Sequence, residues 1–284
     1  MTPVASSAIV VLAVLTSLLG SMGLGSAWVK PLPVLSVAER RADADGPPPF
    51  TDPLPPAEQR LRGLASVYGN LSPAECRRRL QQASGHEAFS FLGPRNGIAL
   101  PVRFVGPLHG VVFKVPPAKS AYGSLDCRQA LLWTDVALVL REHGVSSVNI
   151  DNFYRDRARV HKGRKSQHAY GLAADITVIT FGDREAAVHA STGARLPDGD
   201  GSADVERDFL GKLGAPVCGP EAQIIAQASS DPEQVARAIR LRDLVCDLAR
   251  RGLFHHILTP NYNLAHKNHL HLDLQRDNRW LSVN

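Results

Sequence analysis

His266-Lys267-Asn268-His269-Leu270-His271-Leu272-Asp273-Leu274 alternates polar and apolar side chains from His269 onward, which is the period of a β-strand. One face of that strand carries His269, His271 and Asp273. The other carries Leu270, Leu272 and Leu274, and a leucine face of this kind sits on a core. Packing alone does not account for three ionisable side chains on a single strand face.

Working outward, a second stretch about a hundred residues upstream reads Ser166-Gln167-His168-Ala169-Tyr170-Gly171-Leu172-Ala173-Ala174-Asp175. It reads as a turn, bent at Gly171, leading into a strand from Ala174 to Phe181. Asp175 stands at the start of that strand, where the sequence turns apolar, so its carboxylate must be paired, hydrogen-bonded or metal-bound. Together His168, Asp175 and His271 make a two-histidine, one-carboxylate set. Such a set can hold catalytic zinc and leave a coordination position open for water. The competing readings are a capping or core role for His168, an arginine partner for Asp175 and a cross-sheet hydrogen bond for His271.

The ordered pair Ser-x-His-x-x-Gly-x-Ala-x-Asp (Ser166 to Asp175) and His-x-His (His269 to His271) resembles the zinc peptidases of the lysostaphin and D-Ala-D-Ala carboxypeptidase type, whose fold is shared with the hedgehog signalling domain. Within that group it is most similar to the bacterial extensin-like C-terminal domain family, where the final motif sits in a context like Pro260 to Asp273. The resemblance runs from about Ser72 to the C-terminus and is dense only at the two motifs. It implies metal ligands at His168, Asp175 and His271, with His269 beside the metal-bound water. Several carboxypeptidases of this type carry a glutamate base three residues before the last ligand. Asn268 occupies that place here, so the base falls to a histidine.

The chain has 284 residues, 44% hydrophobic and 21% charged, with a net charge of +5. This is the composition of an ordinary globular protein with room for one full core. The mild positive charge suits an anionic envelope surface, and no basic patch interleaved with aromatics points to nucleic acid. Residues 1–29 hold no charged side chain after the amino terminus and read as a secretory signal peptide or a membrane anchor. Residues 30–56 are a proline-rich linker, and 57–284 the domain bearing the motifs. The expected compartment is outside the cytoplasm, in the periplasm or tethered to its membrane.

Within the domain, the sequence predicts a short helix at Ala57–Tyr68 and a firmer one at Ser72–Ala83, opened by Ser72, Pro73 and Glu75. A small hairpin or edge pair is expected across Ile98–Val115. A long helix capped by Ser124 or Asp126 should run to His143 and end at Gly144, followed by a strand at Val145–Tyr154. Arg155–Lys165, with six Lys or Arg in eleven residues, reads as an exposed basic loop. Pro197–Gly201 has the look of a calcium loop without its required glycine and glutamate, and reads as a turn. Helices at Ala203–Leu213 and Pro232–Arg251 and strands at Phe254–Leu258 and Asn268–Leu274 complete the expectation. Helices and strands do not alternate regularly. The expected class is α+β: a mainly antiparallel sheet carrying a zinc site, flanked by helices, behind an N-terminal apolar segment.

Four cysteines without C-x-x-C spacing argue for disulfides in an exported chain. Three pairings are open; Cys76–Cys127 and Cys218–Cys246 are favoured because each joins neighbouring segments. Around the zinc set, His269 is the candidate general base, and His266 either serves catalysis by contacting substrate or is a polar side chain facing water. Asp273 orients a ligand histidine or makes a salt bridge, and Ser166 supports the first motif. Arg155 and Arg164 can hold a substrate carboxylate. Tyr170 and Tyr262 can donate to an oxyanion or simply pack, and the adjacent His255 and His256 read as structural. The function this implies is a zinc-dependent amide-bond hydrolase of the cell envelope acting on peptidoglycan peptides, its partner a cell-wall peptide or glycan substrate. The alternative is a non-catalytic envelope module that keeps the metal for stability or binding.

Overall fold

The computed structural model describes residues 54, 56–60, 63–160, 163–182, 201–227, 229–278 and 281–284. The apolar stretch 1–29, all of the 30–56 linker except Leu54 and Pro56, and the 197–200 part of the calcium-like turn lie outside the described residues.

In place of one helix, the chain opens with α1 (Ala57–Arg60) and α2 (Leu64–Gly69). The break falls at Gly63, where a Cβ would come within 2.5 Å of the Gly252 carbonyl oxygen. Helix α3 (Pro73–Gln82) starts as its sequence demands, with the Ser72 hydroxyl accepting from the Glu75 amide and Pro73 at the first helical position. Strands β1 (Phe89–Phe91), β2 (Pro101–Phe104), β3 (Val112–Lys114) and β4 (Leu125–Asp126) follow. Helix α4 (Cys127–Glu142) is capped by the Asp126 carboxylate on the Arg128 amide, and Gly144 (φ 71°) turns the chain out of it. Next come β5 (Val145–Asn152), β6 (Ala173–Phe181), β7 (Ser202–Asp204), α5 (Val205–Asp208), α6 (Pro220–Ala226) and α7 (Pro232–Arg250). Strands β8 (His256–Leu258), β9 (Leu270–Asp273) and β10 (Ser282–Val283) end the chain.

The fold is α+β. Its main sheet runs β10-β8-β9-β6-β5-β3, with β7 pairing onto β6. The middle of the sheet is antiparallel, while the outer pairs β10–β8 and β3–β5 are parallel. A smaller sheet is β1-β2-β4. The hairpin expected across Ile98–Val115 is therefore corrected. A tight reversal does form at His109-Gly110, where Leu108 and Val111 exchange backbone hydrogen bonds. Its flanking strands diverge, however, β2 pairing with β1 and β4 and β3 with β5. The helix expected at Ala203–Leu213 is also corrected. Ser202–Asp204 joins the sheet edge, only one helical turn follows, and Leu210 (φ 45°) and Gly211 (φ 153°) prevent its continuation.

The leucine face of β9 lies in the core with Ala174 and Ile176 of β6. Helix α4 is buried along most of its length and packs against α2, α3 and β5. Trp133 on α4 makes edge contacts with Phe113, Phe153 and Phe254, an arrangement favoured by the ring quadrupole. Two disulfides form, Cys76–Cys127 and Cys218–Cys246, tying α3 to the start of α4 and the segment before α6 to α7. They suit an oxidising compartment. Among the described residues no helix is long and apolar enough to cross a membrane.

Candidate metal centre

The polar face of β9 lies beside the start of β6. The ladder sets Asp175 directly opposite His271, and Ala173 opposite Asp273. His168 arrives from outside the sheet on a 3-10 turn, Gln167–Tyr170. The Ser166 hydroxyl caps that turn by accepting from the His168 amide at 3.3 Å, so Ser166 holds the turn without touching the ligand atoms. Gly171 ends it with φ 63°, and a Cβ there would stand 2.9 Å from the Asp126 amide. Only glycine fits both conditions.

These three elements bring three ligand atoms together. His168 Nε2 is 3.0 Å from Asp175 Oδ1 and 3.1 Å from His271 Nδ1, and His271 Nδ1 is 3.0 Å from Asp175 Oδ1. All three residues are buried, and they form the metal-competent group found among the described residues. The hydrogen positions follow from the outer contacts. His168 Nδ1 faces the Phe153 carbonyl at 3.2 Å, which has only lone pairs, so Nδ1 carries the hydrogen and Nε2 presents a lone pair. His271 Nε2 likewise faces the Asp273 carboxylate at 3.4 Å.

The electrostatics call for a positive charge at this point. Burial on its own raises the Asp175 carboxyl, but the close approach of the His168 and His271 rings outweighs it and holds the group well below the usual carboxylate range. Asp273 is held low in the same way by His256 and His271. Burial lowers His168. It also works against charge on His271, yet Asp175 and Asp273 prevail and push that ring up to about 9. His168 Nε2, Asp175 Oδ1 and His271 Nδ1 all face one point. A single cation satisfies all three atoms at once. Donors at 2.0–2.2 Å around a tetrahedral ion stand about 3.3–3.6 Å apart, so the observed triangle needs to open by about 0.2–0.6 Å. The residues fit a metal ion.

Around this group lie the other polar side chains of the second motif. His269 reaches Asp175 Oδ1 with Nε2 at 3.5 Å, a longer approach than either ligand histidine makes. Its Nδ1 lies 2.9 Å from Asn268 Oδ1, which leaves the Nε2 lone pair facing the centre. Burial lowers its basicity, with Asp175 opposing. His266 packs its ring against His269 and His271. It is held by Asn263 at 2.8 Å and lowered to about 4, chiefly by burial. The exposed Tyr262 sets its ring edge-on to His266, centroids 5.4 Å apart. The half-exposed Arg155 points a guanidinium nitrogen at Asp175 Oδ2 from 3.6 Å.

Two candidates are not brought to the centre. Arg164 is exposed on the basic loop and has no contact with the ligand group. Tyr170 lies beneath the Lys165 ammonium, 5.5 Å from ring centre to nitrogen, and packs against the core edge. Two residues not singled out for the site belong to it. Asn152, opposite Asp175 in the ladder, donates to Asp175 Oδ2 at 3.0 Å. His256, opposite Asp273, lies 2.9 Å from Asp273 Oδ1 and so continues the chain from His271 outward. The adjacent pair His255-His256 was a signal that could have revealed it, once paired with the period of β9. His255 is buried and accepts from the Gln275 amide, a structural role.

The fold and site define an α+β protein with a buried His-Asp-His metal-competent group, two of its members on central strands and the third on the turn before them. Compared with family models, curated proteins and solved structures, the chain matches none.

Proposed function

We propose that the chain is a zinc-dependent amide-bond hydrolase of the cell envelope, acting on peptidoglycan peptides, and that it is related to the extensin-like domains it resembles. The observation that carries this reading is the convergence of His168, Asp175 and His271 to 3.0–3.1 Å with a fourth histidine, His269, standing just outside them. His168 Nε2, Asp175 Oδ1 and His271 Nδ1 would hold the ion, which supplies Lewis acidity toward water and a carbonyl when bound. His269 accepts a proton at Nε2 and returns it to the leaving amine. Asn268 fixes the tautomer needed for that, and Asp273 with His256 fixes the orientation of His271. Arg155 lies at the rim, where it can pair with a substrate carboxylate.

The second reading, a metal-stabilised binding module without catalysis, is favoured by Asn268 itself. It stands where a glutamate base would be, and an amide cannot take a proton. Metal analysis of purified protein, followed by incubation with peptidoglycan and chromatography of released peptides, separates the two. Bound zinc with new amino termini supports hydrolysis. Bound zinc with retention on the wall and no cleavage supports the module, and no bound metal removes both.

A further inference from the structure

A cavity opens away from the metal centre, with none of His168, Asp175 and His271 in its lining. It measures about 310 Å³, at the lower end of the roughly 300–1,000 Å³ of small-molecule sites. Its floor is one face of α4, Leu131, Asp135 and Leu138, spaced as neighbours along a helix. Its walls are Tyr68 from the end of α2, Arg79 from α3 and His109 from the tight reversal after β2.

The polar groups here are incompletely used. The Tyr68 hydroxyl donates to Asp135 Oδ2 at 2.9 Å; among the described residues, Asp135 Oδ1 has no hydrogen-bond partner and Asp135 has no ion pair. Arg79 donates through Nε to Glu75 at 2.6 Å, leaving its two terminal nitrogens without a partner among the described residues. The His109 ring nitrogens are equally without one. His109 itself is held at φ 51°, an uncommon conformation for a residue with a side chain. A half-buried carboxylate, with the His109 ring in electrostatic reach of it, and a guanidinium with an unbonded edge thus face one space with a leucine floor. Burial raises the Asp135 carboxyl, against the Tyr68 hydrogen bond and the charge of the nearby His109 ring.

We infer that this cleft binds a dipeptide-sized zwitterion, its ammonium on Asp135, its carboxylate on Arg79 and an apolar side chain on Leu131 and Leu138. The site is independent of the metal centre. The test is calorimetric titration of the full chain with alanyl-leucine, its N-acetyl form and its C-terminal amide. Alanyl-leucine should bind, and blocking either end should weaken it at least about tenfold, the worth of one charge-assisted hydrogen bond. Asp135→Asn keeps an oxygen for the Tyr68 hydroxyl, so folding is retained and can be checked by thermal unfolding. It should weaken alanyl-leucine by a similar factor and leave the acetylated peptide unchanged. His271→Ala should bind as the parent does, which separates this cleft from the metal centre. Absence of binding at millimolar peptide, equal affinity in Asp135→Asn, or loss in His271→Ala alone would each overturn the assignment.

Discussion

Removal of the Cys76–Cys127 bridge tests how the metal centre is supported. The two cysteines are 51 residues apart and fully buried. Loop-entropy scaling gives about 4 kcal/mol for a cross-link of that span, against about 3.6 kcal/mol for the 28-residue Cys218–Cys246 bridge. The first bridge also fixes the start of α4, where the Asp126 amide donates to the Gly171 carbonyl at 2.9 Å, and Gly171 ends the turn bearing His168. Cys76→Ala/Cys127→Ala should therefore lose about 4 kcal/mol in guanidinium unfolding, with a steeper denaturant dependence because the unfolded chain expands further. It should also bind metal more weakly than the parent under conditions where both are folded. The Cys218→Ala/Cys246→Ala variant should lose similar stability and keep parental metal affinity, since its bridge lies on α7. A loss below about 1 kcal/mol for the first pair, or equal metal affinity in the two variants, would refute the reasoning.

Metal analysis should find a bound ion in the parent, and His168→Ala or His271→Ala should lose it, because each removes one of three converging atoms; an unchanged metal content in either variant contradicts the assignment. His269→Ala should keep the ion, and if the chain is a hydrolase its rate should fall ~10²–10⁴-fold, measured as release of wall peptides. Asp208 is pulled below its ordinary value by Arg207, the Asp204 amide and Arg237, against the opposing effect of burial. Its stabilisation is therefore present above the ordinary carboxylate range and is lost as pH falls through the lowered value. Asp208→Asn should be less stable than the parent at pH 7, with the gap closing in acid, as followed by thermal unfolding across pH; a gap that widens in acid would contradict the sign.

The parts of this fold legible in the sequence were those fixed by local chemistry. Ser72 and Asp126 cap helices because their oxygens can reach orphan amides within their own turn, and Gly144 and Gly252 end helices because φ is positive there. The period of β9 separated ligands from leucines for the same local reason. What failed depended on partners. Ala203 and Asp204 read as the start of a helix continuing through Val205–Asp208, and only pairing with β6 makes Ser202–Asp204 a strand. The runs around β2 and β3 look like a hairpin, yet each finds a better partner elsewhere, β1 and β5. Asn152 and His256 are ordinary polar residues until the register sets them opposite Asp175 and Asp273.

That dependence on register explains why the centre can be built from residues a hundred positions apart without a dedicated loop. Asn152, Asp175 and His271 lie side by side on three neighbouring strands, and Asp273 and His256 form the next cross-strand pair. A slip of one residue between β6 and β9 would turn His271 toward the core and a leucine toward the metal face. The burial of Leu270, Leu272 and Leu274 opposes that slip. The same leucines that anchor β9 in the core thereby set the position of His271 against Asp175. Only His168 comes from outside the ladder, so its turn needs separate support, and Ser166, Gly171 and the Asp126 backbone supply it. A centre made this way forms when the sheet forms. Its metal affinity should therefore fall on weakening of β9 packing, for instance by Leu272→Ala, even though that side chain points away from the site.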